Sequence, residues 1–584
     1  MKKISARLMA YFKSELVKEK FKRSVLISFA FTFSYIIFGP FDLVLNNSRH
    51  FPFDVSEVLP LFLGVLILAF VVLTIVLTIV PKGASLVIGC LLLGVLVASY
   101  IQLLFLNGSQ EIMAGGWAVY EPRLVTINYI VWLLIIWAFL GLLFISQKKK
   151  INLWKHVTFY VPMVIFAMQF TGLIVVTLTN DSNFKRPDTI QYFSYIEHFE
   201  LAKENNIIVF IFDRLDTKIM DDVLDDYPEL AYSLSGFTYF QNSVSTYSNT
   251  FPSVTNMLTG EEYVAPLSNT QFFELAWQDT VFFDTLREEG FRINVLLDGP
   301  SVYSDINQVS DLFDNVRYTD AENIKVNRAN TLSTLLGLGT QRSSPYIIKQ
   351  VPTFFLGLER SIKWLTDVDS EKVPYYFPFA IFPETDLLFY EKLVNNGLNL
   401  NSEHNVFNIV HLHAAHSVGY NEKLETIKSI TTDEFLVTQT RGAFKIVEEY
   451  IKQLKELDIY DNTTIIILAD HGTRTTFMPS ETENNASTAS LLIKSKETAE
   501  GPLIINSTAE LSHANFRASI LELAGIENDP FGLSWFDIIN NELSQERIFS
   551  AVRYRATLGG VLGVDRFSII GDARCFSNWR LIND

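Results

Sequence analysis

The feature that most limits this chain is Leu59–Val80 (LPLFLGVLILAFVVLTIVLTIV), an apolar run without one charged side chain. A helix needs about 20 such residues to cross about 30 Å of hydrocarbon, and a buried helix in a water-soluble protein seldom stays uncharged for that length. Four more runs, near 24–45, 84–107, 124–146 and 156–179, have comparable length and apolarity. The first 180 residues therefore predict five membrane crossings. Gly39-Pro40, followed by Asp42, predicts that the first helix stops near Phe38. That run is too long for a cleaved signal peptide and lacks a small-residue cleavage site.

Basic residues in short loops set orientation. The N-terminal tail (1–23) carries Lys2, Lys3, Arg7, Lys13, Lys18, Lys20, Lys22 and Arg23. Lys82 joins the second and third runs, and Lys148, Lys149, Lys150 and Lys155 join the fourth and fifth. The opposite loops hold Arg49 and Arg123. The expected topology is a cytoplasmic N-terminus, a five-helix domain over 24–180, and everything later outside the cytoplasm.

Charge divides the chain at the same place. Residues 1–180 hold 15 Lys+Arg and 7 Asp+Glu, a net of +8, whereas the remainder holds 32 and 57, a net of −25. An overall charge of −17 argues against nucleic-acid binding, which needs a basic face. Two cysteines, Cys90 in a membrane run and Cys575 near the far end, predict no disulfide. In the join, 181–205, the three-to-four spacing of Tyr192, Phe193, Tyr195, Ile196 and Phe199 predicts an amphipathic helix, lying at the interface or opening the next domain.

Residues 206–584 read as α/β. Short apolar runs at Ile207–Phe212, Ile293–Leu297, Phe407–His413 and Thr464–Leu468 alternate with helical patterns, as in a mainly parallel sheet with crossover helices. A long helix with an Ala443, Val447, Tyr450, Ile451 and Leu454 stripe precedes the last strand. Ligands of such sheets sit beyond the carboxyl ends of the strands. Asp213 follows one strand, Asp470 and His471 another, and His411, His413 and His416 a third. Carboxylates and imidazoles suit a divalent ion such as Zn²⁺ or Mn²⁺. In TFPSVTNMLTG (250–260), a loop with a proline enters a short helix with Thr250 as its expected N-cap, where backbone N–H groups favour an incoming phosphate.

The order Asp213, TFPSVTNMLTG (250–260), HLHAAH (411–416), DNTTIIILADHG (461–472) and SHANFRASILELAGI (512–526) resembles the sulfatase-like branch of the alkaline phosphatase superfamily, over about 205–540. Five crossings ahead of such a domain resemble lipoteichoic acid synthases and phosphoethanolamine transferases. The resemblance implies an α-helical membrane domain followed by a sulfatase-like α/β catalytic domain. It implies one divalent ion, Mn²⁺ or Zn²⁺ with Mg²⁺ as a third candidate, held by Asp213, Thr250, Asp470 and His471. Thr250 would be the nucleophile, with His411 and His416 facing the substrate phosphate or headgroup. His513 matches a recurrent position without an assigned role, and Arg474 follows the Asp-His-Gly.

Departures from the family pattern narrow the chemistry. Thr250 stands where sulfatases carry the Cys or Ser that becomes formylglycine, Val254 replaces their arginine, and Asp213-Arg214 replaces a paired Asp-Asp. Sulfate-ester hydrolysis is therefore not expected, and the lack of ectodomain disulfides favours a phosphoglycerol-type or otherwise uncharacterised transferase over a phosphoethanolamine one. The expected partners are a membrane phospholipid donor, an envelope glycan or glycolipid acceptor, and the bilayer of a bacterial plasma membrane. Two alternatives stay open: the same site using water as a hydrolase, and a catalytically inactive lipid-binding scaffold.

Overall fold

A computed structural model describes residues 15–46, 53–107, 122–179, 189–264, 267–278, 281–297, 299–320, 324–346, 366–368, 384–416, 419–427, 432–472, 488–496, 498, 500–526, 531–554 and 561–582. Among the described residues, five helices are long and apolar enough to cross a membrane. The first, α1, runs through Glu15–Phe33, a π turn at Ser34–Phe38, and Gly39–Asn46. It does not stop near Phe38 as the sequence predicts. The Gly39 N–H reaches back five residues to the Ser34 carbonyl. This wider turn comes just ahead of Pro40, which has no N–H to give, so the coil continues. The others are α2 (Val55–Ile79), α3 (Lys82–Ile101, extended by a second π turn at Gln102–Leu106), α4 (Pro122–Lys148) and α5 (Leu153–Thr179). Their shared core includes Ile27, Phe62, Leu93 and Phe139.

Over its described residues, 189–205, the join is not an α-helix. Strand β1 (Thr189–Phe193) and a 3₁₀ turn at Ile196–Phe199 occupy it. The aromatic spacing imitates a helix, but Phe193, Tyr195 and Phe199 bury into the α/β core while Ile196 stays exposed. β1 pairs antiparallel with a strand more than a hundred residues away, Val316–Asp320, and no local pattern could announce that partner.

The central sheet has seven strands. They are β2 (Asn206–Phe212), β3 (Thr238–Phe240), β4 (Phe291–Leu296), β6 (Asn405–Leu412), β7 (Thr463–Ala469), β8 (Leu491–Lys494) and β9 (Ile504–Asn506), with Val316–Asp320 taken as β5. The order is β9-β3-β8-β7-β2-β6-β4, and β8 alone runs antiparallel to its neighbours. β2 and β7 are buried at every position because both faces of the sheet are covered. On one face, Phe210 and Phe212 meet Tyr450 and Phe444 of the long helix Asp433–Glu456. On the other, Phe407 meets Phe282. A separate antiparallel sheet follows: β10 (Arg547–Tyr554), β11 (Val561–Ile569) and β12 (Trp579–Ile582), packed around Phe549 and Trp579. Cys90 and Cys575 are both free thiols.

A candidate metal and phosphoryl site

Register fixes the site. β7 and β2 pair Ala469 with Phe212, and β2 and β6 pair Phe212 with Leu412. The next residues, Asp470 and Asp213, therefore leave the sheet side by side, with His411 at the end of β6. One ligand atom from each of Asp213, His411 and Asp470 lies within 4.8 Å of the others, and all three residues are buried. Two backbone turns just beyond the strands have left-handed φ at non-glycine residues, Arg214 (φ 63°) and Ala414 (φ 21°). Such a conformation costs about 1–2 kcal/mol per residue. At Arg214 it aims the backbone N–H at Asp470 Oδ1, 2.9 Å away.

His471 completes the cluster. Its Nδ1–H donates to the Gly472 carbonyl at 2.6 Å, which leaves the Nε2 lone pair facing Asp213 Oδ1 at 3.7 Å and Asp470 Oδ2 at 3.6 Å. Burial keeps His471 below its ordinary pKa despite the nearby Asp470. Burial opposes ionisation of Asp470 too, but His471, His411 and the Arg214 N–H outweigh it, and its carboxyl is held below the usual range. Asp470 Oδ2 has no hydrogen-bond partner although it is buried. A buried carboxylate held ionised, with two imidazoles, a second carboxylate and the Thr250 hydroxyl around it, fits a cation. A donor set of carboxylate oxygens and imidazole nitrogens could hold a divalent ion.

Thr250 Oγ1 lies 3.4 Å from His471 Nε2. It opens α6 (Thr250–Thr259), where Asn249, not Thr250, occupies the N-cap position. Phe251 and Pro252 depart from helical geometry, so the regular coil starts at Ser253. Ser253 Oγ donates to the Asp470 carbonyl at 2.6 Å, tying the helix to the end of β7. Phe251 anchors the other side among Tyr263, Phe272 and Phe273. At the far end, Gly260 (φ 84°) caps α6, and Arg517 lies against it, donating to the Thr259 carbonyl.

The remaining histidines differ in their company. His413 Nδ1 meets Asp386 Oδ1 at 3.2 Å and Thr385 Oγ1 at 2.9 Å, and its ring stacks on His411. Asp386, on the helix Glu384–Asn396, also accepts from Tyr420 OH at 2.7 Å. Sequence reasoning missed Asp386, which stands in no motif. His416 is not one of the three clustered ligands. Burial, and next the Arg214 guanidinium, push its pKa down to about 3. His513 is buried with both ring nitrogens unpartnered, and burial lowers it to about 4 within the field of Asp470. Arg474 lies outside the described residues.

The loop into Thr250 is held from beyond the region of resemblance. Ser550 in β10 donates its N–H to the Thr246 carbonyl at 2.8 Å and accepts from the Ser248 N–H at 3.2 Å, while the Val552 N–H donates to Ser248 Oγ at 3.0 Å.

A family model for sulfatases matches residues 205–526. Nothing among curated proteins matches the chain. Similar solved structures include a phosphonate monoester hydrolase from Silicibacter pomeroyi, 16% identical over 65% of this chain and 88% of that one, with a TM-score of 0.38. Another is the integral membrane protein lipooligosaccharide phosphoethanolamine transferase A from Neisseria meningitidis, 15% identical over 88% of this chain and 98% of that one, with a TM-score of 0.35.

Proposed function

Because the chain belongs to the sulfatase family, whose members are metal-dependent enzymes, we propose that it transfers a phospholipid headgroup, through a phospho-threonine at Thr250, to a hydroxyl of an envelope glycan or glycolipid. The observation that carries this reading is the hydroxyl of Thr250 beside the His471 imidazole at the Asp213–His411–Asp470 cluster, on a chain with five helices able to cross a membrane. A threonine cannot become formylglycine, so the sulfate-ester route of the family is closed to this nucleophile. The membrane helices hold the site near a bilayer, where a lipid donor is concentrated.

Asp213, His411, Asp470 and His471 would hold the divalent ion, which when bound supplies electrostatic stabilisation of the charge that develops on the attacking and phosphoryl oxygens. The fixed start of α6 presents Thr250 Oγ1, which forms a bond to phosphorus as the bond from phosphorus to the diacylglycerol oxygen breaks. The threonine proton passes to that departing oxygen, and His416, kept neutral by burial, orients the headgroup. The acceptor hydroxyl then attacks phosphorus in line, its proton passes to the threonine oxygen, and Thr250 is restored. His411, which the resemblance assigns to the headgroup, has a place in the ion's shell in this reading. The phosphoglycerol or phosphoethanolamine identity of the headgroup follows from the resemblance alone.

The test is intact mass spectrometry of detergent-purified wild type and Thr250→Ala, incubated with mixed phospholipids and Mn²⁺ or Zn²⁺. A mass gain on wild type only, mapped to Thr250, is expected, and its size names the headgroup. Metal-dependent diacylglycerol release without a glycan product would make the enzyme a hydrolase. Absence of both adduct and diacylglycerol release would leave the scaffold reading standing.

A further inference from the structure

The long connection between β4 and β6 returns to the membrane domain. From β5, which pairs with β1 at the exit of the last membrane helix, the chain enters α7 (Arg328–Ser343). This helix lies against α1, both of its segments beyond Phe33 included, and against α2 and the π turn of α3. Leu335 is fully buried in the core of the membrane helices, with Leu332 and Leu336 packed against that core. Gly339 meets Gly39-Pro40 so closely that a Cβ there would stand 3.0 Å from Pro40 N and 3.1 Å from the Gly39 carbonyl carbon.

Polar groups fix the seat. Arg342 pairs with Asp42 of α1 at 3.1 Å. Asn107 Nδ2 donates to the Arg342 carbonyl at 2.8 Å and in turn accepts from Gln102 at 2.8 Å. Gln102 Oε1 accepts from Asn128 and Trp132 of α4 at 2.8 and 2.9 Å. The Tyr346 N–H donates to Asn128 Oδ1 at 3.1 Å, and its hydroxyl donates to the Leu106 carbonyl at the second π turn. An ionisable residue in a membrane helix needs a partner, and here the partner for Asp42 comes from the α/β domain. At 16 residues, α7 is too short to span; it is a plug in one end of the bundle.

We propose that α7 is a docking helix that locks the α/β domain onto the membrane helices, and that this seat sets the position of the Thr250 site over the bilayer. The second half rests on the function proposed above. α7 is thus a positioning element that acts on lipid substrates and leaves the chemistry at Thr250 alone. The close Gly39–Gly339 approach is its contact least tolerant of change, and the Asp42–Arg342 pair its most specific one.

Two experiments test this, both on the full chain in lipid nanodiscs. In a Cys90→Ser, Cys575→Ser background, the pair Asp42→Cys and Arg342→Cys is treated with a short bis-thiol reagent. One reagent consuming both thiols, read by intact mass, is expected, and separate labelling of the two overturns the docking itself whatever the protein's activity. The second compares turnover of membrane phospholipid with that of a water-soluble phosphodiester. Gly339→Leu should lose lipid turnover by about tenfold or more, since small misplacements of a site carry penalties of that order, while soluble turnover stays within about twofold. Arg342→Asp should behave likewise, and the Asp42→Arg, Arg342→Asp exchange should recover lipid turnover, which a mere folding defect would not allow. Equal losses on both substrates, or no loss on either, would overturn the positioning role. Wild type inactive on both substrates would refute the function proposed above, and with it the positioning half, while the cross-link still decides the docking.

Discussion

Asp470→Asn costs stability without metal and costs more with it. In wild type, Asp470 Oδ1 accepts from two N–H groups, those of Arg214 and His471 at 2.9 and 2.8 Å, while Oδ2 is buried without a partner. Asparagine keeps the first oxygen and replaces the charged second one by a neutral amide. In metal-free protein this removes a charge that its surroundings hold ionised against burial, and it destabilises by about 1–3 kcal/mol. With metal at about 100 times its Kd, wild type gains about 2.7 kcal/mol from binding, and the variant gains almost none. The domain beyond residue 205 has about 380 residues, and at ~2.1 cal/mol/K each its unfolding entropy is ~0.8 kcal/mol/K. Wild type should therefore rise by about 3 °C when Zn²⁺ or Mn²⁺ is added, while the variant starts about 1–4 °C lower in EDTA and stays there. Thermal unfolding of both proteins in detergent, with EDTA or metal, reads this directly. An equal metal shift in the variant would refute the assignment of Asp470 Oδ2 to a cation, and a higher Tm than wild type in EDTA would refute a carboxyl held ionised by its surroundings.

Other consequences are as specific. Burial holds the His198 imidazole down at about 3, so the unfolded chain binds the extra proton between there and about 6.5; the stabilisation is full above pH 6.5 and is lost at about 1.4 kcal/mol per unit on acidification. His198→Gln should flatten the urea-derived stability slope between about pH 6 and 4 by that amount, and an unchanged slope would refute the buried neutral state. Gly260→Ala forces an L side chain into φ 84° and displaces Arg517 from the Thr259 carbonyl; a loss of about 1–3 kcal/mol in urea unfolding is expected, and no loss would mean that α6 ends differently. Ser253→Ala removes the bond to the Asp470 carbonyl and should lower stability by about 1 kcal/mol while slowing any adduct formation at Thr250, whereas an unchanged adduct rate would show that the tie does not position the hydroxyl.

The sequence announces what is local and continuous. β2 and β7 are unbroken apolar runs because both faces of the sheet are covered, and their acidic ends follow from where the runs stop. The five membrane helices are visible for the same reason. What stays hidden depends on partners far along the chain. The aromatics at 192–199 keep helical spacing, yet β1 exists because Val316–Asp320 lies beside it. Asp386 carries no signal until Glu384–Asn396 packs against the end of β6 and brings it to His413. α7 looks like an ordinary soluble helix, rich in Thr, Gly and Ser, and only its meeting with Gly39-Pro40 shows where it belongs. The π turn that carries α1 past Pro40 is likewise invisible to a rule that treats proline as a stop.

The pinning of the Thr246–Ser248 loop by β10 has a consequence in time. A chain emerging from its N-terminus carries Asp213, His411, Asp470 and His471 once residue 471 has appeared, but the strand that steadies the approach to Thr250 is complete only after residue 554. The order of synthesis therefore separates two competences. A chain halted before residue 547 would have the Asp213–His411–Asp470 cluster and still lack the ties on the Thr246–Ser248 loop, so under the proposed function premature release would leave a site able to bind an ion but not to turn over.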